Sequence, residues 1–139
     1  MIILDTNVIS EIMRPVPDSH VIGWLQAQPL KQVFTTVIAE AELLKGIELM
    51  PSGKRHALLQ AVEQYLMLDM GNRILPFDRA AARWFAIIFS QRKAKGRPIT
   101  PLDTQIAAIA RSHTATLATR NTRDFEGCGI HLIDPWQVA

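Results

Sequence analysis

The chain has 139 residues, of which 48% are hydrophobic and 20% charged, with a formal net charge of +2 and an isoelectric point near 9.0. This length and composition predict a single globular domain, residues 1–139, and exclude a disordered chain. The lone cysteine excludes an internal disulfide and a cysteine-built metal site, and the lack of a signal segment or of the ~20 apolar residues that span a bilayer predicts a cytoplasmic protein with no membrane partner.

Strands and helices alternate along the chain, as judged from apolar periodicity and from proline, glycine and capping residues. The predicted strands cover residues 1–4, 33–35, 74–75, 116–119 and 130–133. The predicted helices cover residues 7–13, 18–28, 37–49, 54–68, 79–96 and 100–112. Repeated strand-then-helix units predict an α/β fold, a three-layer α/β/α sandwich around a mostly parallel sheet of four or five strands.

Acidic and amide side chains follow several of these strands or open the helices next to them. Asp5 ends the first strand, Glu40 and Glu42 begin the helix after the second, and Asp103 lies in the first turn of the helix before the fourth. After the fourth strand come the two further candidates, Asn121 and Asp124. Because parallel strands deliver their carboxyl ends to one edge of the sheet, these positions can converge there.

Each of these residues also has a purely structural interpretation. Asp5 can cap the helix that follows it, and Thr100-Pro101-Leu102-Asp103 is a good helix start without any chemistry. Asp124 can hold a local turn. Glu40 and Glu42 are two residues apart on a helix, so at most one of them can join Asp5, and periodicity does not choose between them.

A pocket of three or four carboxylates needs a positive charge, because like charges raise one another's pKa values. Mg²⁺ or Mn²⁺ fits best, since these ions prefer oxygen ligands and leave positions for water and phosphate oxygens. The reaction that this arrangement favours is phosphodiester hydrolysis by a metal-activated water, without a serine or cysteine nucleophile.

Several short motifs, in this order and spacing, resemble those of the PIN-domain toxins of the VapC family, nearest to the FitB-like members. They are Leu4-Asp5-Thr6-Asn7-Val8-Ile9-Ser10-Glu11, Ala41-Glu42-Leu43 with Gly46, Asp103 ahead of Ile106-Ala107-Ala108, Ala118-Thr119-Arg120-Asn121, Asp124-Phe125 and Asp134-Pro135-Trp136. The resemblance extends over essentially the whole chain. It implies a PIN fold and an Mg²⁺- or Mn²⁺-dependent ribonuclease that acts as the toxin of a type II toxin–antitoxin pair.

The resemblance also implies roles for individual residues. Asp5, Glu42 and Asp103 match the catalytic, metal-binding acids, and Thr6 and Asn7 match supporting polar groups. Where some relatives have a fourth acid, this chain has Asn121, so a neutral ligand, a water-mediated contact or Asp124 would take that place. The loss of one negative charge weakens a second metal site first and favours a single tightly held ion.

Basic residues and partners complete the expectations. Arg92 and Lys93, clustered with Lys95 and Arg97, either form a solvated helix end or hold RNA phosphates, and Arg120 either binds substrate or pairs with an acid. The resemblance further implies a homodimer and a cognate antitoxin, which can extend the complex to a higher assembly. Trp24, Leu25 and the helix around Tyr65 could be core or subunit surface.

Two other functional classes compete with the nuclease. A PIN-like module could recognise RNA or a protein partner without cutting, and the presence of Asp5, Glu42 and Asp103 argues against it. A phosphoacceptor signalling domain also gathers acids and Mg²⁺ at strand ends. That class needs adjacent acids early in the chain and a lysine after a late strand, and no lysine follows Thr119.

Overall fold

The computed structural model describes residues 1–138, which form alternating strands and helices. In chain order the elements are β1 (Ile2–Leu4), α1 (Thr6–Ile12), α2 (Ser19–Gln26), β2 (Val33–Thr36), α3 (Val37–Glu48), α4 (Lys54–Met70), β3 (Ile74–Leu75), α5 (Arg79–Ala94), α6 (Pro101–Ser112), β4 (Thr116–Ala118) and β5 (His131–Ile133). All the predicted helices and strands are present, and their ends differ from the prediction by at most two residues. Three short 3₁₀ helices were not predicted: Leu30–Gln32, Gly71–Arg73 and Thr122–Phe125.

The five strands form one sheet in the order β3-β2-β1-β4-β5, and every neighbouring pair is parallel. β1 lies at the centre, where Ile2 pairs with Val33 of β2 on one side and Leu4 pairs with Ala118 of β4 on the other. The chain builds outward from β1 through β2 to β3 and then returns to add β4 and β5. The order therefore reverses between β1 and β4, and crevices in open α/β sheets form at such a reversal.

Helices cover both faces of the sheet, because successive side chains of a strand point to opposite faces. Ile3 packs into a core with Ile88 of α5 and Ile109 of α6. Leu4 packs into a second core with α1, α2 and α3, through side chains that include Val21 and Leu43. The predicted three-layer sandwich with a parallel sheet is confirmed.

Among residues 1–138, no helix combines the length and the apolar character needed to cross a bilayer. From the sequence, Trp24 could belong to the core or to a subunit surface. It is 7% exposed and belongs to the same core as Leu4. Tyr65 on α4 is 71% exposed.

Candidate active site

Asp5 follows β1 and begins α1. Its Oδ1 accepts a hydrogen bond from the Thr6 N–H at 2.8 Å, and its Oδ2 accepts one from the Thr119 hydroxyl at 2.7 Å. The Asp5 N–H donates to the Ala118 carbonyl at 2.9 Å, which extends the β1–β4 pairing by one residue and brings Thr119 alongside. Asp5 is only 6% exposed. It therefore caps α1, but its burial and its second hydrogen bond go beyond what a cap requires.

Glu42 reaches the same region from α3. Thr36 ends β2 and caps α3 by accepting a hydrogen bond from the Ala39 N–H at 3.1 Å. Glu42 Oε1 accepts a hydrogen bond from the Thr6 hydroxyl at 2.7 Å, so Thr6 connects α1 to α3. Glu40 points elsewhere and acts on Glu63 of α4. The pKa of Glu63 is raised chiefly by burial, and the negative charge of Glu40 adds to the increase.

Asp103 lies in the first turn of α6. Thr100 caps this helix by accepting a hydrogen bond from the Asp103 N–H at 3.2 Å, and Pro101 fills the first helical position. The Asp103 side chain is half-buried, and this burial raises its pKa, as do the charges of Asp124 and Glu42. The helix start that the sequence suggested is present and holds the carboxylate at the sheet edge.

The three acids line one open cleft of about 520 Å³. The residues around it are Asp5, Thr6, Asn7, Ser10, Glu11, Arg14, Glu42, Asp103, Arg120, Asn121 and Trp136. Asn7 accepts a hydrogen bond from the Arg120 N–H at 3.2 Å and donates from its amide to Thr119 at 3.3 Å. Asn7 therefore ties the start of α1 to the segment that follows β4.

The cleft disfavours the ionised form of Asp5. The pKa of Asp5 is raised from 3.8 to about 6, chiefly by burial, against the opposing hydrogen bonds from Thr119 and Thr6. The negative charges of Asp103 and Glu42 add to the increase. The carboxylate of Asp5 therefore interacts with the negative charges of both other acids, although the three residues are far apart in sequence.

The donor set fits a hydrated divalent cation. Within residues 1–138, no group of three or more His, Cys, Asp or Glu side chains is close enough together to hold a metal ion without movement of the side chains. The carboxylates of Asp5, Glu42 and Asp103 nevertheless share the cleft, and a cation among them would relieve their repulsion. Their ligand atoms are all oxygens, and the open cleft leaves room for the waters that Mg²⁺ retains.

The two candidates for a fourth ligand separate in the structure. Asn121 lines the cleft, and its N–H donates to Thr119 at 3.1 Å. Asp124 lies in the 3₁₀ helix Thr122–Phe125, is exposed and does not line the cleft, although its charge raises the pKa of Asp103.

The structure corrects the expectation that Arg92 contacts the substrate, because Arg92 is buried and does not line the cleft. Arg92 is 5% exposed and donates to the carbonyls of Arg97 at 2.6 Å and of Asp124 and Glu126 at 2.9 Å. A buried guanidinium needs acceptors, so these hydrogen bonds tie Arg92 to the segment after β4 and to the end of α5. Lys93 is exposed on α5 and does not line the cleft.

Sequence reasoning missed several residues of the cleft. Thr119 appeared only at the end of a strand and within a motif, with no role of its own, and the strand pairing that places it beside Asp5 was the signal that could have found it. Glu11 and Trp136 appeared only as parts of motifs. Ser10 also appeared only within a motif, and Arg14 carries no local pattern that marks it; α1 and the turn after it bring both residues to the cleft.

A family model described as PIN domain matches residues 2–127. The chain belongs to the PIN domain family. The acids of the cleft thus lie in the matched part of a PIN domain, as do all the helices and the first four strands.

Individual relatives match over nearly their whole length. The VapC ribonuclease Y4jK of Sinorhizobium fredii is 41% identical, with 100% of both chains covered. The toxin FitB of Neisseria gonorrhoeae is 41% identical over 98% of this PIN domain and 99% of that protein. A solved structure described as FitAB bound to an IR36 DNA fragment has a TM-score of 0.93 at 38% identity and covers 100% of this chain and 98% of that one. The expected membership among VapC and FitB-like PIN domains is confirmed.

Proposed function

We propose that this PIN domain is an Mg²⁺- or Mn²⁺-dependent endoribonuclease that hydrolyses RNA phosphodiester bonds in the cytoplasm, as the toxin of a type II toxin–antitoxin pair. The observation that carries the proposal is the meeting of Asp5, Glu42 and Asp103 in one cleft, where burial and, to a smaller extent, the charges of the other two acids raise the pKa of Asp5. The relatives described as a ribonuclease and as a toxin support the reaction and its biological role.

Asp5, Glu42 and Asp103 would hold the ion, with Asn121 as a neutral neighbour and Asp124 outside the lining of the cleft. The bound ion would supply a lowered water pKa and neutralisation of charge on the phosphodiester. Thr119 and the Thr6 N–H fix the two oxygens of Asp5, and the Thr6 hydroxyl fixes Glu42, so the ligands are oriented before the ion binds.

Arg120 and Trp136 give the cleft a surface for nucleotides. The Arg120 guanidinium lies 5.0 Å from the centre of the Trp136 ring, and both residues line the cleft. Arginine binds phosphates and aromatic rings stack on unpaired bases, which is how single-stranded RNA is commonly held. Arg120 therefore serves as a substrate-binding residue in this proposal, whereas Arg92 does not.

The proposal is tested by expressing the wild type, Asp5→Asn and Asp78→Asn in growing cells and sequencing the 5′ ends of cellular RNA. Asp78 is the matched control, because it also caps a helix, accepting from the Ala81 N–H at 3.0 Å, but lies outside the cleft. Asparagine caps helices about as well as aspartate, so neither change should unfold the protein. We expect growth arrest and discrete new RNA ends from the wild type and Asp78→Asn, and neither from Asp5→Asn.

The same experiment separates the nuclease from a binding module that does not cut. Growth arrest by the wild type without new RNA ends, and equal arrest by Asp5→Asn, would establish binding without cleavage. Titration of Mn²⁺ into purified wild type and Asp103→Asn tests the metal separately. Undiminished Mn²⁺ affinity in Asp103→Asn would remove Asp103 from the metal site.

An antitoxin would bind in the apolar groove beside the cleft. This groove, about 720 Å³, lies between α1, α3 and α4 and shares Thr6, Ser10, Arg14 and Glu42 with the cleft. A segment seated there reaches the acids directly, so one partner can both bind and block the site. An amphipathic helix suits such an apolar groove.

Leu58→Glu tests this docking site, because Leu58 lines the groove and is 59% exposed. We expect the variant to remain toxic when its antitoxin is co-expressed, since a charge in the groove disfavours an apolar segment. Ile87→Glu is the control, at a side chain 41% exposed on α5 outside the groove. Rescue of both variants by the antitoxin would place the partner elsewhere.

A further inference from the structure

One buried acid of the cleft has no part in the metal site. Glu11, on the last turn of α1, is 5% exposed, and its Oε1 and Oε2 accept hydrogen bonds from Arg14 Nη1 at 3.2 and 3.3 Å. Its Oε2 also accepts the Asp18 N–H at 2.9 Å, which fixes the turn between α1 and α2. Glu11 thus holds the backbone of this turn and the guanidinium of Arg14 together.

The Arg14 side chain is paired with Glu11 but remains exposed to solvent. Its side chain is 64% exposed while that of Glu11 is 6% exposed. Only Nη1 donates to Glu11, and among the described residues no protein acceptor takes the remaining guanidinium N–H groups. Arg14 lines the acidic cleft, where a fixed fork of free donors matches the oxygens of a phosphate.

The distance from the metal-binding acids defines which phosphate Arg14 can reach. Asp5 and Arg14 lie at opposite ends of α1, a helix of seven residues, which is about 10 Å long at ~1.5 Å per residue. A phosphate at Arg14 is therefore a neighbour of the one held at Asp5, Glu42 and Asp103. A contact of this kind binds substrate and transition state equally, so it acts on KM more than on kcat.

We propose that Arg14 binds an RNA phosphate beside the bond that is cut, and that Glu11 is a positioning residue that orients the Arg14 guanidinium toward the cleft. This inference rests on the proposed ribonuclease function for its substrate class. It assigns a second cationic contact, besides Arg120, to the α1–α2 turn, whereas the sequence had led us to expect one from the cluster at the end of α5.

RNA binding is measured in an Asp5→Asn background, so that the result does not depend on whether the protein cuts RNA. The probe is a fluorescein-labelled single-stranded RNA of mixed sequence, with affinity followed by anisotropy at several KCl concentrations. We expect Arg14→Gln to weaken binding about tenfold, as loss of a charged hydrogen bond does, and to reduce the slope of log affinity against log salt by about 0.7, as loss of one phosphate contact does. Arg83→Gln, at an exposed arginine of α5 outside the cleft, should change neither quantity.

A double-mutant cycle tests the role of Glu11. Glu11→Gln should weaken binding about threefold when Arg14 is present, as loss of an ion pair does, and should have no effect in the Arg14→Gln background. A structural role alone would lower affinity in both backgrounds and would show as a lower unfolding midpoint by circular dichroism. An effect of Glu11→Gln that persists without Arg14 would overturn the positioning role.

Unchanged affinity and salt slope in Arg14→Gln would overturn the phosphate contact. If Arg14→Gln lost antitoxin binding while keeping RNA binding, Arg14 would belong to the antitoxin site. Cleavage assays on protein with Asp5 intact judge the nuclease separately: a protein that cuts RNA with the same KM when Arg14 is replaced refutes only this inference, and a protein that cuts nothing refutes the proposed function.

Discussion

At the scale of single residues, Asp5 combines a helix cap with a buried carboxylate whose ionisation is unfavourable. Its folded-state pKa of about 6 exceeds the ordinary value of 3.8 because burial disfavours the charged form. Between these two values the folded protein binds more protons than the unfolded chain does. The contribution of Asp5 to stability is therefore largest below pH 3.8 and is lost as the pH rises through about 6.

Asp5→Asn should consequently stabilise the metal-free protein at pH 8 by roughly 1–3 kcal/mol, because a neutral amide replaces a buried charge. The gain should shrink as the pH falls through about 6 and should disappear at about pH 3, where the wild-type carboxyl is protonated in both states. Urea unfolding in EDTA at the two pH values measures the difference. Equal stability of both proteins at pH 8 would show that Asp5 is not destabilised by burial.

Thr119 supports Asp5 from β4, so its hydroxyl should matter for metal binding as well as for stability. Thr119→Val removes the donor to Asp5 Oδ2 and should cost about 1–2 kcal/mol of unfolding free energy. Calorimetry should also show weaker Mn²⁺ binding, because the ligand loses its orientation. Thr35→Val is the control: Thr35 is equally buried and donates to the Leu4 carbonyl at 2.9 Å, so stability should fall while Mn²⁺ affinity is kept.

At the scale of elements, the capped starts of three helices position the acids of the cleft. Asp5, Thr36 and Thr100 begin α1, α3 and α6, so the first turns of these helices lie at the carboxyl edge of the sheet. The two cores hold the helices on opposite faces, and the cleft opens where the strand order reverses beside β1. The position of each acid therefore depends on a local cap and on a packed helix.

Loss of the α6 cap should affect function beyond its cost in stability. Thr100→Ala leaves the Asp103 N–H without its acceptor and should lower the unfolding free energy by about 1 kcal/mol. Asp78→Ala, which removes the α5 cap, should cost a similar amount. Only Thr100→Ala should weaken Mn²⁺ binding in a calorimetric titration. Equal affinities in the two variants would mean that the first turn of α6 does not position a ligand.

At the scale of the whole molecule, we expect the outer surface of α4 to contact a second copy of the chain. Tyr65 and Leu68 are 71% and 83% exposed, lie three residues apart and therefore share one side of the helix. Apolar side chains exposed together are typical of a surface that another subunit covers.

We expect light scattering to give a dimer mass for the wild type and a monomer mass for the double variant Tyr65→Arg/Leu68→Arg. Val16→Arg, at a side chain 83% exposed outside α4, should remain a dimer. A monomeric wild type, or a dimer that survives the α4 changes, would remove this surface from the interface.

The sequence by itself determined the elements of the fold and the residue types of the site. Strand and helix periods, caps and prolines are local signals, so the alternation, the parallel sheet and the candidates Asp5 and Asp103 followed from them. The short 3₁₀ helices were missed because they carry no apolar period.

Only the tertiary structure decided which side chains meet. The resemblance had already favoured Glu42 over Glu40. The hydrogen bond of Glu42 with Thr6, the pairing that brings Thr119 to Asp5, and the burial of Arg92 depend on how α3, β4 and α5 pack. The ion pair of Glu11 with Arg14 became a candidate for binding only once α1 was placed along the cleft. Contacts between residues far apart in the chain depend on register and packing, and a local sequence pattern does not record either of them.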